Sequence, residues 1–190
     1  MKINKESLII ENDMLYLRPL LVEDITYDYV NGLNDPEVNR YLVDVRRNLQ
    51  TRELVEKYVR SNLENPSSIL FCIFLKNDLQ RMIGTIHISH IDFFHFTASI
   101  GICLFVKDAW KKSYALQAIR LVKDYLFKAL GLHYLEAGVY ANNTNSIKLF
   151  TRAGFVEWFR VRDKFRHVDS FEETIYFAAI NRSFNTSLLC

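Results

Sequence analysis

The chain has 190 residues, 24 Lys and Arg against 22 Asp and Glu for a net charge of +2, and 49% hydrophobic residues. A chain of this size can bury roughly 70% of its unfolded surface, so one core forms without a disulfide or metal staple. The composition excludes disordered and fibrous classes, and the small charge argues against a dedicated nucleic-acid binder. Cys72, Cys103 and Cys190 are odd in number and scattered, with no CxxC or His/Cys cluster. That sets aside a disulfide framework and a metal site, and points to a reducing compartment. Residues 1–14 are charged and lack the apolar stretch of a signal peptide. The longest apolar run, residues 69–75, is too short to span a bilayer. The expectation is a soluble, cytoplasmic protein with no membrane or nucleic-acid partner.

With 6 Gly and 3 Pro, each breaker is informative. Residues 14–18 alternate and stop at Pro19, which reads as a first strand. A helix over 23–33 closes at Asn34-Asp35-Pro36, a helical turn follows at 37–42, and 43–48 is a polar, basic loop. Thr51 caps a helix with Leu54, Val55, Tyr58, Val59 and Leu63 on one face. Strands at 69–76, 82–92 and 98–106 follow, the last two joined by an aromatic tip, Phe93-Phe94-His95-Phe96. The clearest helix spans 113–130, with Gly131 just past its end. A strand at 133–140, a short helix at 145–153 ended by Gly154, and a hairpin of 155–165 with 171–180 complete the chain. Residues 1–182 read as one domain and 183–190 as a frayed tail. Only the connection from 98–106 through the long helix to 133–140 must be parallel. The fold class is α/β: a single mixed seven-stranded sheet with helices on both faces.

The informative segment joins the 98–106 strand to the long helix. A helix start leaves about four backbone N–H groups without partners and carries partial positive charge, so a loop wrapping there binds anions, typically phosphate. Lys107, Lys111 and Lys112 add full charges. The same residues also read as a plain strand-to-helix turn with solvated lysines.

Here the sequence resembles a family. Trp110-Lys111-Lys112-Ser113-Tyr114-Ala115-Leu116-Gln117-Ala118 resembles the acetyl-CoA pyrophosphate loop of the GNAT N-acetyltransferases, whose form in the branch with ribosomal-protein N-terminal acetyltransferases is W-G-K-G-Y-A-T-E-A. Asn143 to Phe155 is similar to the second signature, N-x-x-S-x-x-x-(L/Y)-x-x-x-G-F. Leu15-Tyr16-Leu17-Arg18-Pro19-Leu20, Asn34-Asp35-Pro36-Glu37-Val38 and Ile83-Gly84-Thr85-Ile86 match the same branch, in order. Residues 84–155 also look similar to acetyltransferases acting on amino-sugar precursors of surface polysaccharides. The departures are Ser113 for the central loop Gly, Lys112 before it, Gln117 for the acidic helix residue, and Phe150 where many members carry a Tyr. Ser113 is expected to serve if its φ stays negative, with its hydroxyl as an added donor.

The resemblance implies an acetyl-CoA-dependent N-acetyltransferase with no metal. It places acetyl-CoA on Leu104, Phe105, Val106, Lys111, Lys112, Ser113, Tyr114, Ala115, Asn143 and Phe150, with its pantetheine arm between the splayed strands 98–106 and 133–140. It implies direct attack by a primary amine, on an amino sugar, a sugar nucleotide or a protein N-terminus, with the oxyanion held by a backbone N–H. A homodimer is compatible with it. The alternative is a non-catalytic acyl-CoA-binding module with a degenerate site. Phe150 cannot donate a proton, so Ser146 becomes the candidate acid for the leaving thiolate; a Ser there also simply caps a helix. Glu136, on a strand face with Tyr134, Gly138 and Tyr140, is the candidate base; a structural ion pair or strand-end placement also accounts for it. His87 and His90 fall on opposite strand faces, and Cys72 and Cys103 read as core. Arg160, Arg162, Lys164 and Arg166 have period two and are expected to form one basic face, either a solvated edge or an anion contact at the cleft.

Overall fold

Eight strands form one sheet in the computed structural model, which describes residues 3–167 and 169–186. In chain order the elements are β1 (Ile10–Glu11), β2 (Leu15–Pro19), α1 (Tyr27–Asn34), α2 (Pro36–Asn39), α3 (Arg52–Glu64), β3 (Ile69–Leu75), β4 (Asp78–Asp92), β5 (Thr97–Leu104), α4 (Tyr114–Asp124), β6 (Tyr134–Tyr140), α5 (Thr144–Arg152), β7 (Val156–His167) and β8 (Ser170–Ile180). The sheet order is β1-β2-β3-β4-β5-β6-β8-β7. Among the described residues only β5 and β6 pair in parallel, as the connection through α4 requires. The mixed single sheet is the expected one, widened by β1, a two-residue strand that pairs Ile10 with Leu17. Two residues carry too little alternation to be seen in a sequence.

The run at β3 shows why the sheet is covered on both sides. Ile69, Phe71 and Ile73 pack with α4 and α5 residues such as Ile119, Val122 and Phe150. Leu70, Cys72 and Phe74 point the other way, into a second cluster with Tyr29 and Leu33 of α1 and Val55 and Val59 of α3. Alternate residues face opposite sides of a strand, so a strand buried on both faces reads as unbroken apolar sequence.

The helix ends follow their capping residues. Thr26 accepts a hydrogen bond from the Tyr29 N–H at 3.2 Å and starts α1 later than expected; a 3₁₀ turn, Val22–Asp24, occupies the positions before it. Asp35 and Thr51 cap α2 and α3 in the same way. At the far end of α3, Lys5 Nζ donates to the carbonyls of Asn62 and Asn65, each at 2.6 Å, where a cation suits the helix terminus. The long helix is α-helical to Asp124, continues as a π segment, Tyr125–Ala129, and ends at Gly131 with φ +66.

Residues 183–190 are expected to fray, yet Phe184 is packed, its ring 5.1 Å from Phe96 and 4.9 Å from His133. Residues 187–190, with Cys190, lie outside the described residues. Among the described residues, no helix is long and apolar enough to cross a membrane.

His87 belongs to the α3 side of the sheet. Its Nδ1 lies 3.1 Å from the Tyr58 hydroxyl and its Nε2 2.9 Å from the Ser68 hydroxyl, which itself donates to Asn62. Those bonds suit a neutral ring that accepts from Tyr58 and donates to Ser68. Burial, helped by nearby His90, pushes the His87 pKa down to about 4. The unfolded chain binds this proton near the ordinary value of 6.5. Below that pH the unfolded state therefore gains a proton that the folded state refuses, and stability is lost as pH falls from 6.5 toward 4. The loss is on the order of 3 kcal/mol. Denaturant unfolding of the wild type and of His87→Gln across this window should show the extra slope only in the wild type. Parallel slopes would mean that His87 titrates alike in both states.

Candidate active site

The site begins where two neighbouring strands stop pairing. β5 and β6 are in register only at Thr97–Tyr134, Ala98–Leu135 and Ser99–Glu136. Beyond these pairs β5 stays bonded to β4 as far as Leu104, and β6 to β8 as far as Tyr140. The strands therefore splay and leave backbone groups facing a gap. Gly101 and Gly138 are exposed in mid-strand on its two sides, and a Cβ on Gly101 would meet nothing within 4 Å. The gap opens into a cavity of about 770 Å³, within the usual range for a small-molecule site.

One wall is the turn into α4. Trp110 Nε1 donates to the Leu104 carbonyl at 2.8 Å and ties this turn over the end of β5. Lys111 and Ser113 both adopt left-handed backbone, with φ +61 and +64. The condition that Ser113 keep a negative φ is not met: the turn takes the conformation that a Gly adopts without cost, and Ser113 is held in it. The Ser113 side chain makes no cap hydrogen bond, and the first bond into α4 runs from the Gln117 N–H to the Ser113 carbonyl at 3.0 Å. The N–H groups that precede it have no partner within the helix, the arrangement in which a helix start takes an anion. Leu104, Lys111, Ser113, Tyr114 and Ala115 all line the cavity.

Three expected cofactor residues do not present side chains there. Phe105 is buried against Tyr29, ring centres 4.9 Å apart, and against Gly32, on the α1 side of the sheet. Val106 is half-buried between the two cores, and its N–H donates to the Ile83 carbonyl. Lys112 is exposed outside the cavity lining. Lys107 turns away as well: its ammonium is 2.7 Å from Asp35 and bonded to Glu37. Gln117 faces the β1–β2 turn, accepting from Asn12 at 3.4 Å.

The opposite wall is α5. Asn143 caps it by accepting from the Ser146 N–H at 3.1 Å, and Gly154, at φ +85, ends it. Phe150 is 3% exposed and packs edge-on against Phe155 at 5.3 Å and nearly parallel to Phe177. Asn143, Ser146 and Phe150 all line the cavity. Among the described residues the Ser146 hydroxyl has no hydrogen-bond partner; its backbone N–H, not its side chain, meets the cap. Across the gap, Glu136 accepts from the Ser99 hydroxyl at 3.0 Å and lines the same cavity. Cys103 lines it too, but burial pushes its pKa up to about 12, which leaves an unreactive thiol.

The expected basic face on β7 is not formed. The strand bulges between Val161 and Phe165, with Asp163 at φ +50, so period-two alternation fails there. Arg160 is paired with Glu157 and Glu173, while Lys164 reaches Tyr176. Basic residues near the cavity come instead from the loop after α2: Arg40, Arg46 and Arg47, joined by Arg166. The basic loop at 43–48 carries this signal in the sequence, but not its place beside β6.

The comparisons agree with this geometry. Residues 14–156 match the family model described as acetyltransferase (GNAT) domain, and the chain belongs to that family. It is 31% identical over 156 residues to the uncharacterised N-acetyltransferase p20 of Bacillus licheniformis, covering 80% of this chain and 84% of that one. It is similar in fold to the ribosomal-protein-S5-alanine acetyltransferase of Vibrio fischeri (TM-score 0.82, 20% identity, 94% of this chain and 100% of that). It is also similar to the spermidine N-acetyltransferase of Vibrio cholerae in complex with CoA and spermine (TM-score 0.80, 20% identity, 91% and 99%). The protein is an acetyl-CoA-dependent N-acetyltransferase.

Ser113 gives the sharpest test of the α4 turn. CoA at a hundred times its dissociation constant should stabilise the wild type by about 2.7 kcal/mol. Ser113→Gly should keep or improve CoA affinity and raise stability by up to about 1 kcal/mol, because it relieves the left-handed backbone. Ser113→Pro cannot reach φ +64 and lacks the N–H, so affinity should fall about tenfold or more. Calorimetric titration with CoA measures both. Normal affinity in Ser113→Pro would mean that the phosphates are held elsewhere.

Proposed function

We propose that residues 1–182 act as one acetyltransferase domain in the cytoplasm, moving an acetyl group to a primary amine by direct attack. The observation that carries this reading is the splay of β5 from β6, which puts Glu136 and Ser146 on the walls of a single cavity that begins at the α4 amides. Acetyl-CoA supplies the thioester. The amides at Lys111 to Ala115 hold its diphosphate, the open edges of β5 and β6 hold the pantetheine arm, and Phe150 and Asn143 close the α5 side. Backbone from Leu104 to Val106 contributes to the same path, while Lys112 adds charge from outside.

Glu136 takes the proton that the attacking ammonium must lose, directly or through a water, with Ser99 fixing one carboxylate oxygen. Ser146 gives a proton to the departing sulfur, since its hydroxyl is uncommitted and Phe150 has none to give. Amine acceptors appear in the names of two structural neighbours, spermidine in one and a ribosomal-protein alanine in the other. They support a primary amine as the acceptor class here: an amino sugar, a sugar nucleotide or a protein N-terminus.

Ser146→Ala should lower kcat by about 100-fold while CoA affinity stays put. Glu136→Gln should lower kcat while CoA affinity stays unchanged. The readout is free thiol released from acetyl-CoA with a panel of amines. A kcat within twofold of wild type in Ser146→Ala would leave that residue a helix-building role. CoA binding with no thiol release from any amine would favour a non-catalytic acyl-CoA-binding module.

A further inference from the structure

The cavity does not end at Glu136. It runs into a second groove, and the two share Val43, Tyr140 and Phe165. The shared wall is aromatic: the Tyr140 ring lies 5.7 Å from Tyr41 and 5.8 Å from Phe165. Behind it Thr174 is 2% exposed and lines the cavity, and its Oγ1 has no hydrogen-bond partner. A buried hydroxyl left unpaired is unfavourable, and a polar group of a ligand relieves it. This orphan sits beside Tyr140 in the β6–β8 register.

The groove beyond is lined by Arg40, Arg46, Arg47 and Arg166. Arg46 is held by neutral oxygens. It donates to the Arg40 carbonyl at 3.0 Å, to the Tyr140 hydroxyl at 2.8 Å and to the Arg166 carbonyl. Such partners fix the guanidinium without an ion pair. Arg40 stacks on Tyr41 at 5.2 Å, and among the described residues neither Arg40 nor Arg46 forms an ion pair. Arg47 has Asp44 at 3.3 Å, an exposed pair that stabilises little. The forked donors of Arg40 and Arg46 fit phosphate oxygens.

The two ends of the acceptor path therefore have opposite charge, with Glu136 inside and arginines outside. We infer that the acceptor is a small zwitterion, a primary amine carrying a phosphate group, and that Arg40, Arg46 and Arg47 select it by that phosphate. This rests on the transfer reading above, and it names that reading's substrate class. Tyr140, whose hydroxyl Arg46 contacts, is four residues from Glu136 on β6, so both ends of the path border one strand. Arg46 also bridges the loop after α2 to β7, so a continuing polypeptide would have to cross that strap. A polyamine would meet the arginines with its own charge.

The test uses protein saturated with CoA, so that the α4 amides are filled, and titrates glucosamine 6-phosphate, glucosamine and inorganic phosphate by calorimetry. The same sugars, spermidine and a peptide with acidic residues after its N-terminus are then compared as acceptors of acetyl-CoA. Glucosamine 6-phosphate should bind at least tenfold tighter than either glucosamine or inorganic phosphate, weaken with salt, and lead the acceptors by a similar factor in kcat/KM. The double substitution Arg40→Gln, Arg47→Gln alters exposed side chains and should reduce both preferences about tenfold; Arg46→Gln should do so more strongly if it folds. Equal binding of the two sugars, inorganic phosphate binding as tightly as the phosphorylated one, or spermidine as the best acceptor overturns the inference even if transfer occurs. An acidic peptide outpacing glucosamine 6-phosphate overturns the small-molecule acceptor. Arginine-dependent binding of glucosamine 6-phosphate without thiol release supports the groove and counts against transfer.

Discussion

Everything at the site depends on two parallel strands that pair for three residues and then part. β5 is held by β4 on one edge and β6 by β8 on the other, so neither strand can follow its neighbour across the gap. Backbone N–H and C=O groups inside a sheet ordinarily find partners. Where β5 and β6 separate, the open edges instead face a cavity, and a ligand that runs along a strand can meet them. The exposed mid-strand glycines, Gly101 and Gly138, keep both edges clear of side chains.

Holding a sheet open needs rigid walls, and the two hydrophobic clusters supply them. α4 and α5 are fixed to one face through Ile119, Val122 and Phe150, and to each other by Lys123, whose ammonium bonds the Ala153 carbonyl and lies 5.9 Å from the Phe155 ring. α1 and α3 brace the other face, where Phe105 at the end of β5 is locked against Tyr29. The strained element sits on these walls. Two left-handed residues in one short turn cost on the order of 1–2 kcal/mol each, and the Trp110 bond to Leu104 keeps the turn from relaxing away from the strand end. Strain of this kind persists only where packing over-determines it, which is why it clusters at ligand-binding turns.

Much of the fold was legible in the sequence because its signals are local. The double-sided burial of β3, the Thr51 cap, the long amphipathic helix and the Gly154 stop each depend on a few adjacent residues. What failed depended on backbone conformation or on long-range placement. Period two at residues 160–166 assumed a regular strand, and the Asp163 bulge breaks it. Ser113 hid a left-handed φ because a non-Gly residue usually signals the opposite. The arginine groove joins Arg46 to Arg166 across 120 residues, a separation that no short-range pattern reports. Phe105 and Lys107 lie inside the informative segment, yet one is core and the other is tied to Asp35 and Glu37.

The replacement of a tyrosine by Phe150 has a structural logic of its own. Phe150 is wedged between Phe155 and Phe177, and a hydroxyl on that ring would have to emerge on the cavity side to avoid a buried, unpaired position. Ser146 is four residues earlier on α5, so both side chains lie on the same helix face. Moving the hydroxyl back by one turn leaves the aromatic contact intact and still places an oxygen on the cavity wall. The Asn143 cap makes this arrangement stable. By accepting from the Ser146 N–H it satisfies the helix start, and the Ser146 side chain is left outside that bond. α5 thus separates two placements one turn apart, with Phe150 in the core and the Ser146 side chain on the cavity wall.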